Sequence, residues 1–178
     1  TTIAGITFPS CFMNASGALC VTRDELEALG KSGAGAIVTK SMTIESRQGN
    51  PTPRYYGFPG GSINSMGLPN LGYRAYAELI PHLKRFGKPV IASVAGLGEE
   101  DFPTIAEAIN AAKPDLIEVN LSCPNIPGKP QIGYDPETSE RVLKKVRPLV
   151  TVPMGVKLPP YFDPAHHEAM GKVLGRCG

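Results

Sequence analysis

The sequence predicts a parallel α/β fold assembled from repeated strand–helix units, and three observations carry this. Short apolar runs alternate with longer segments of helical periodicity along the 178 residues. Those runs are apolar in the middle and finish on polar residues: Asn14 and Ser16, Lys40, Ser93, Asn120 and Lys157. Two long connections, Ser41 to Asn70 and Ser122 to Pro136, are rich in Gly, Pro and Asn, and loops of that length inside an α/β domain usually carry function.

In chain order, a hairpin is expected around Gly5 in Thr2-Ile3-Ala4-Gly5-Ile6-Thr7-Phe8. Strands are expected at Cys11 to Ala15, Ala36 to Lys40, Pro89 to Val94, Asp115 to Leu121 and Pro153 to Leu158, each followed by a helix. The first helix opens on a capping box, Thr22 with Glu25, and stops near Gly33. The later helices cover Leu71 to Phe86, Glu99 to Ala112, Glu137 to Val150 and Pro164 to Leu174, with Pro81 capping or kinking the first of these.

Polar strand ends suit a parallel barrel, which collects its chemistry at the C-terminal rim. A doubly wound sheet also binds ligands at strand C-termini, so the pattern leaves both architectures open. No GxGxxG follows the first strand, which argues against a dinucleotide-binding version. About five βα units are present, whereas a closed barrel needs about eight in about 250 residues. Five strands alone leave open edges, so the expectation is one partial domain over 1–178, completed by further chain or by another polypeptide.

Composition narrows the function classes. A hydrophobic fraction of 42% is that of a globular domain, and a net charge of +2 with scattered Lys and Arg does not suit nucleic acid. No stretch approaches the roughly 20 apolar residues of a membrane span, and no signal peptide opens the chain, so a soluble cytoplasmic protein is expected. The four cysteines, Cys11, Cys20, Cys123 and Cys177, lack CxxC or CxxH spacing, so no metal site is expected and all are read as reduced thiols.

Lys40 and Lys157 both end apolar strands. Burying an unpaired ammonium is costly, so two such cations predict an anionic ligand, against the bland alternative of lysines snorkelling to solvent. The segment Ser62 to Asn70 mixes amides, hydroxyls and Gly67, which lets backbone N–H groups approach a small carboxylate; the alternative is an ordinary Gly/Asn turn. Asn120, Cys123 and Asn125 put a nucleophile or base between two amides just past the fourth strand. Cys11, Cys20 and Cys177 are read as small buried hydrophobes, and His82, His166 and His167 as surface residues of helices.

Three ordered stretches resemble a family: Val38-Thr39-Lys40, the run Gly49-Asn50-Pro51-Thr52-Pro53-Arg54-Tyr55 leading into Gly61 to Asn70, and Asn120-Leu121-Ser122-Cys123-Pro124-Asn125-Ile126-Pro127-Gly128-Lys129-Pro130-Gln131. They are similar to the cytosolic class 1A dihydroorotate dehydrogenases, and Gly155 to Asp163 extends the match, which runs from about residue 5 to 168 and is loose between Ser93 and Pro114. The resemblance implies a (β/α)₈ TIM barrel that binds FMN, usually as a homodimer, and oxidises dihydroorotate to orotate with fumarate, reduced to succinate, as electron acceptor. It assigns Cys123 as catalytic base, Ser16, Lys40, Ser41, Asn120 and Lys157 to the flavin, and Lys40, Asn64, Ser65, Met66, Gly67, Leu68, Asn120 and Asn125 to the substrate. In the family pattern, later strands, a further Asn-Ser pair and the glycine-rich loops for the FMN phosphate follow the position of Gly178, so activity of this chain unaided is not expected. The competing readings are a non-flavin barrel lyase or isomerase using Lys40 or Lys157, and an inactive fragment.

Overall fold

The computed structural model describes residues 1–122 and 131–178. The chain opens with an antiparallel hairpin, β1 (Thr2–Ile3) and β2 (Ile6–Thr7). Its turn residues Ala4 and Gly5 have φ of 51° and 78°, the left-handed pair whose twist suits a two-residue hairpin. Then come α1 (Arg23–Lys31), β3 (Ile37–Val38), a second hairpin of β4 (Tyr55–Phe58) and β5 (Gly61–Asn64), α2 (Tyr73–Leu83), β6 (Val90–Val94), α3 (Asp101–Ala111), β7 (Leu116–Asn120), α4 (Pro136–Val146), β8 (Met154–Lys157) and α5 (Pro164–Cys177).

Strands β3, β6, β7 and β8 form one parallel sheet in sequence order. The two faces are distinct. Ile37, Val90, Ala92, Val94, Ile117 and Val119 join a single apolar cluster with residues from each of the helices α1 to α5, among them Leu26, Tyr76, Phe102, Leu143 and Met170. Residues of opposite parity, Ala36, Val38 and Ile91, pack instead with Phe8, Ile6 and Leu116, away from the helices. Helices on one face and strands in unbroken order describe a singly wound sheet. A doubly wound one would cover both faces and reverse its strand order, and neither is seen among the described residues.

Local signals explain the helix ends. Thr22 caps α1 in the expected box, with Glu25 reaching back to the Thr22 N–H at 2.9 Å. Asp135 and Asp163 cap α4 and α5, each followed by proline at the first helical position. Pro81 lies inside α2 without ending it; the helix closes at Leu83 and a 3₁₀ turn runs on through Lys84–Phe86. Another 3₁₀ turn, Arg147–Leu149, takes the place of the last turn expected of α4.

Four expectations need correction. The first strand, Cys11 to Ala15, does not form. The Asn14 carboxamide takes the place of a ladder partner, donating to Val38 O at 2.7 Å and accepting from Val38 N–H at 3.0 Å. Cys11 on this segment is exposed rather than buried. The connection from Ser41 to Asn70, expected as a long loop, holds the β4–β5 hairpin; all eight hairpin residues are exposed, so no inside–outside alternation marked it. His82 is half-buried and bridges elements, with Nε2 2.7 Å from the Glu27 carboxylate of α1, while His166 and His167 are exposed as expected. Among the described residues, no helix is long and apolar enough to cross a membrane.

Candidate active site

The face of the sheet turned from the helices changes character along the strands. At the N-terminal ends it is closed by the apolar cluster of Phe8, Val38 and Ile91. Toward the C-terminal ends the same parity supplies Ser93 on β6, Glu118 and Asn120 on β7 and Lys157 on β8, with Lys40 just beyond β3. Register sets their layers: Ser93 pairs with Glu118, Glu118 with Gly155, and Asn120 with Lys157.

One hydrogen-bonded network ties these layers together. The Lys40 ammonium donates to the carbonyl oxygens of Ser16 and Gly17 at 2.9 and 3.0 Å. Ser41 Oγ donates to Ser16 Oγ at 3.1 Å, lies 2.9 Å from Ser93 Oγ, and accepts from Asn120 Nδ2 at 2.8 Å. Lys157 forms an ion pair with Glu118 at 2.9 Å and also donates to Ser16 Oγ. Ser41 and Ser93 are fully buried, and Ser16, Lys40 and Asn120 nearly so, so these polar groups satisfy one another where water does not reach. Asn120 Oδ1 accepts from the Ser122 N–H at 3.0 Å and Ser122 Oγ at 3.1 Å, fixing how the chain leaves β7.

Above this network lies a cavity of about 170 Å³. Its floor and sides come from Ser16, Gly17, Ala18, Lys40, Asn120, Ser122 and Lys157, and the end of β5 and the loop after it contribute Asn64, Met66 and Leu68. That loop is braced from behind. Asn50 N–H donates to Met66 O at 2.9 Å, and Asn50 Nδ2 to Ser65 O at 2.9 Å. Buried Asn70 accepts from Gly72 N–H and donates to Leu68 O and Thr43 Oγ1. Gly67 has φ +71°, and a Cβ there would lie 2.3 Å from Asn50 Oδ1, so only glycine fits the packing and the backbone at once.

The cavity therefore gathers Ser16, Lys40, Asn64, Met66, Leu68, Asn120 and Lys157 from the sequence-nominated set. Ser41 sits one bond behind, through Asn120 and Ser16. Ser65 is not on its wall; the exposed side chain meets Asn50 Nδ2 at 3.1 Å. Cys123 and Asn125 lie outside the described residues, directly after the wall residue Ser122. Glu118 is the functional candidate that sequence reading missed. Its signal was a carboxylate in the apolar run Leu116-Ile117-Glu118-Val119-Asn120, two residues from Asn120 and so on the same face. Cys20 and Cys177 are buried; for Cys20, burial above all pushes the thiol up to about 11, with Lys40 partly opposing, which makes it an inert thiol.

A singly wound parallel α/β protein with a cationic, hydroxyl-rich cavity at its strand C-termini is the class that this fold and site define. Within that class the chain belongs to the dihydroorotate dehydrogenase family, whose model matches residues 1–178. It is 48% identical over 179 residues to a putative dihydroorotate dehydrogenase A (fumarate) of Streptococcus uberis, and 46% identical to one of Streptococcus equi subsp. equi. A probable dihydroorotate dehydrogenase A (fumarate) of Streptococcus pneumoniae is likewise 46% identical. In each case the match covers 99% of this chain and 58% of the relative, so the chain spans little more than half the length of these curated relatives.

Proposed function

We propose that the whole protein oxidises (S)-dihydroorotate to orotate in de novo pyrimidine synthesis, with FMN as cofactor and fumarate as electron acceptor, as a cytoplasmic homodimer. In this reading 1–178 supplies α1 and four strand–helix units, β3 to α5, of a flavin-binding (β/α)₈ TIM barrel, one fewer than the five units expected because Cys11 to Ala15 forms no strand, and contains no second domain. The observation that carries the proposal is the convergence on one cavity of residues nominated from three separate stretches of sequence. The fumarate-type names of the relatives support the choice of acceptor.

The donor set fits FMN. A flavin ring offers nitrogen and carbonyl acceptors and gains negative charge on reduction, and the cavity supplies hydroxyls, a carboxamide and two ammonium groups, that of Lys40 buried and that of Lys157 half-buried. Ser16, Lys40, Ser41, Asn120 and Lys157 would hold it. When bound, FMN supplies the two-electron acceptor for the hydride leaving C6 of dihydroorotate.

The protein's own residues do the rest. Asn64, Asn120 and Asn125 present amides that complement the imide edge of a pyrimidine, with Ser65 adjoining. Backbone N–H groups of Met66, Gly67 and Leu68 receive the carboxylate, and Lys40 adds the opposing charge. Cys123 Sγ, as thiolate, takes the C5 proton. Lys157 supplies fixed positive charge where negative charge develops. The Schiff-base lyase reading is less well supported, because both ammonium groups are engaged as donors to protein oxygens instead of standing open as nucleophiles.

The whole protein should be yellow and should bleach anaerobically on addition of dihydroorotate. Flavin reduction should quicken as pH climbs toward the ordinary thiol pKa of about 8.5. Colourless protein, or a substrate trapped on lysine by borohydride, refutes the flavin reading; a flat pH profile with unchanged substrate binding removes Cys123 as the base.

A further inference from the structure

The carboxylate of Glu118 has no part in the mechanism above, yet it is the hub of the network beneath the cavity. A single oxygen, Oε1, receives Ser93 Oγ at 2.7 Å, Lys157 Nζ at 2.9 Å and Ser16 Oγ at 3.2 Å. Its side chain is half-buried, 22% exposed, on the sheet face opposite the apolar layer that holds its strand neighbours Ile117 and Val119. In register Glu118 faces Gly155, which has no side chain, while Lys157 faces Asn120. The lysine therefore leans back across the open Gly155 position to reach a carboxylate one pair lower, a diagonal contact within reach of long side chains.

We infer that Glu118 is the positioning residue and counter-ion of Lys157, fixing its ammonium and setting the net charge under the flavin; this rests on the assignment of Lys157 to the flavin made above. A four-carbon lysine stem has large rotamer freedom, and anchors at Glu118 and Ser16 remove it before any ligand arrives. The carboxylate also neutralises the ammonium it holds. Lys157 and Glu118 together present no net charge, so reduction of the flavin is less favoured than it would be over an uncompensated lysine.

Glu118→Gln keeps an oxygen acceptor for Ser93, Ser16 and Lys157 but removes the charge. In the FMN-loaded whole protein it should shift the two-electron equilibrium toward reduced flavin about tenfold, an upward move in midpoint potential of about 30 mV. Lys157→Met should move the potential the opposite way, and the double variant should return close to the wild-type value, because the pair then loses both charges. An unchanged or lowered potential in Glu118→Gln, with FMN still bound and Lys157→Met effective, overturns the inference alone. Should Glu118→Gln fail to fold, the double variant decides: a potential as low as that of Lys157→Met overturns the inference, and recovery supports it. Wild-type protein that binds no FMN, or a Lys157→Met variant with unaltered potential, instead overturns the flavin reading on which the inference rests.

Discussion

The two faces of the parallel sheet are drawn from alternating residues of the same strands, yet they are built to opposite rules. On β7, Ile117 and Val119 enter a continuous apolar layer shared with helices α1 to α5, while Glu118 and Asn120 enter a network of hydroxyls, amides and charges. The helix face is uniform along its length. The other face is apolar only at the N-terminal ends, where Phe8, Val38 and Ile91 plug it, and becomes polar within a few residues. Stability and chemistry are thus separated by side-chain parity, not by distance along the chain, and a substitution's effect should depend on which face it touches.

The sharpest test of that separation is Cys123→Ala, just past the polar end of β7. Turnover of dihydroorotate by the whole protein should fall by about 10²–10⁴-fold, the usual contribution of a positioned acid or base. Its thermal unfolding midpoint should stay where it was. A large loss of stability alongside the lost turnover breaks the separation.

Next in size is the converse change, Ile117→Ala, on the helix face of the same strand. Ile117 is fully buried, and truncation leaves a cavity costing about 2–5 kcal/mol in denaturant unfolding. The folded fraction should still bind FMN normally, because the register that aligns Glu118 and Asn120 is held by the backbone ladder. A smaller loss belongs to Asp135→Ala, which removes the acceptor for the Glu137 and Thr138 N–H groups at the start of α4. That should cost about 1 kcal/mol, read from the unfolding midpoint, with no effect on turnover.

Parity also decides what could be read from sequence. β6 and β8 were visible as apolar runs bounded by Pro89 and Pro153, and the strand-end Lys40 and Lys157 stood out because a charge closing an apolar run demands a partner. Cys11 to Ala15 looked like another such run, but what matters there is one side chain, Asn14, bonding to Val38 across 24 residues. The β4–β5 hairpin escaped because both its faces meet solvent, so burial imposes no period on it. Glu118 was overlooked for the opposite reason. It interrupts an apolar run that otherwise reads cleanly, and its partners Ser16, Ser93 and Lys157 come together only in three dimensions.

The smallest expected effect lies outside both faces, on the helical surface, where Glu27 of α1 meets Arg23, His82 and Arg85. Hydrogen bonds from Arg23 first and then His82 hold its carboxyl down at about 2, against an ordinary value of 4.5. A carboxyl whose pKa is lower folded than unfolded binds fewer protons in the native state, so its stabilisation is complete above pH 4.5 and is lost as pH falls toward 2. Urea midpoints of wild type and Glu27→Gln, measured across that range in the whole protein, should differ by a constant amount above it and converge below it. The cluster is solvent-screened, so raising the salt concentration should shrink the difference. Flavin binding and turnover should be the same in both proteins at neutral pH, because Glu27 contributes nothing to the polar face of the sheet. A gap that persists at the acid end means that Glu27 acts through packing between α1 and α2 and not through its charge.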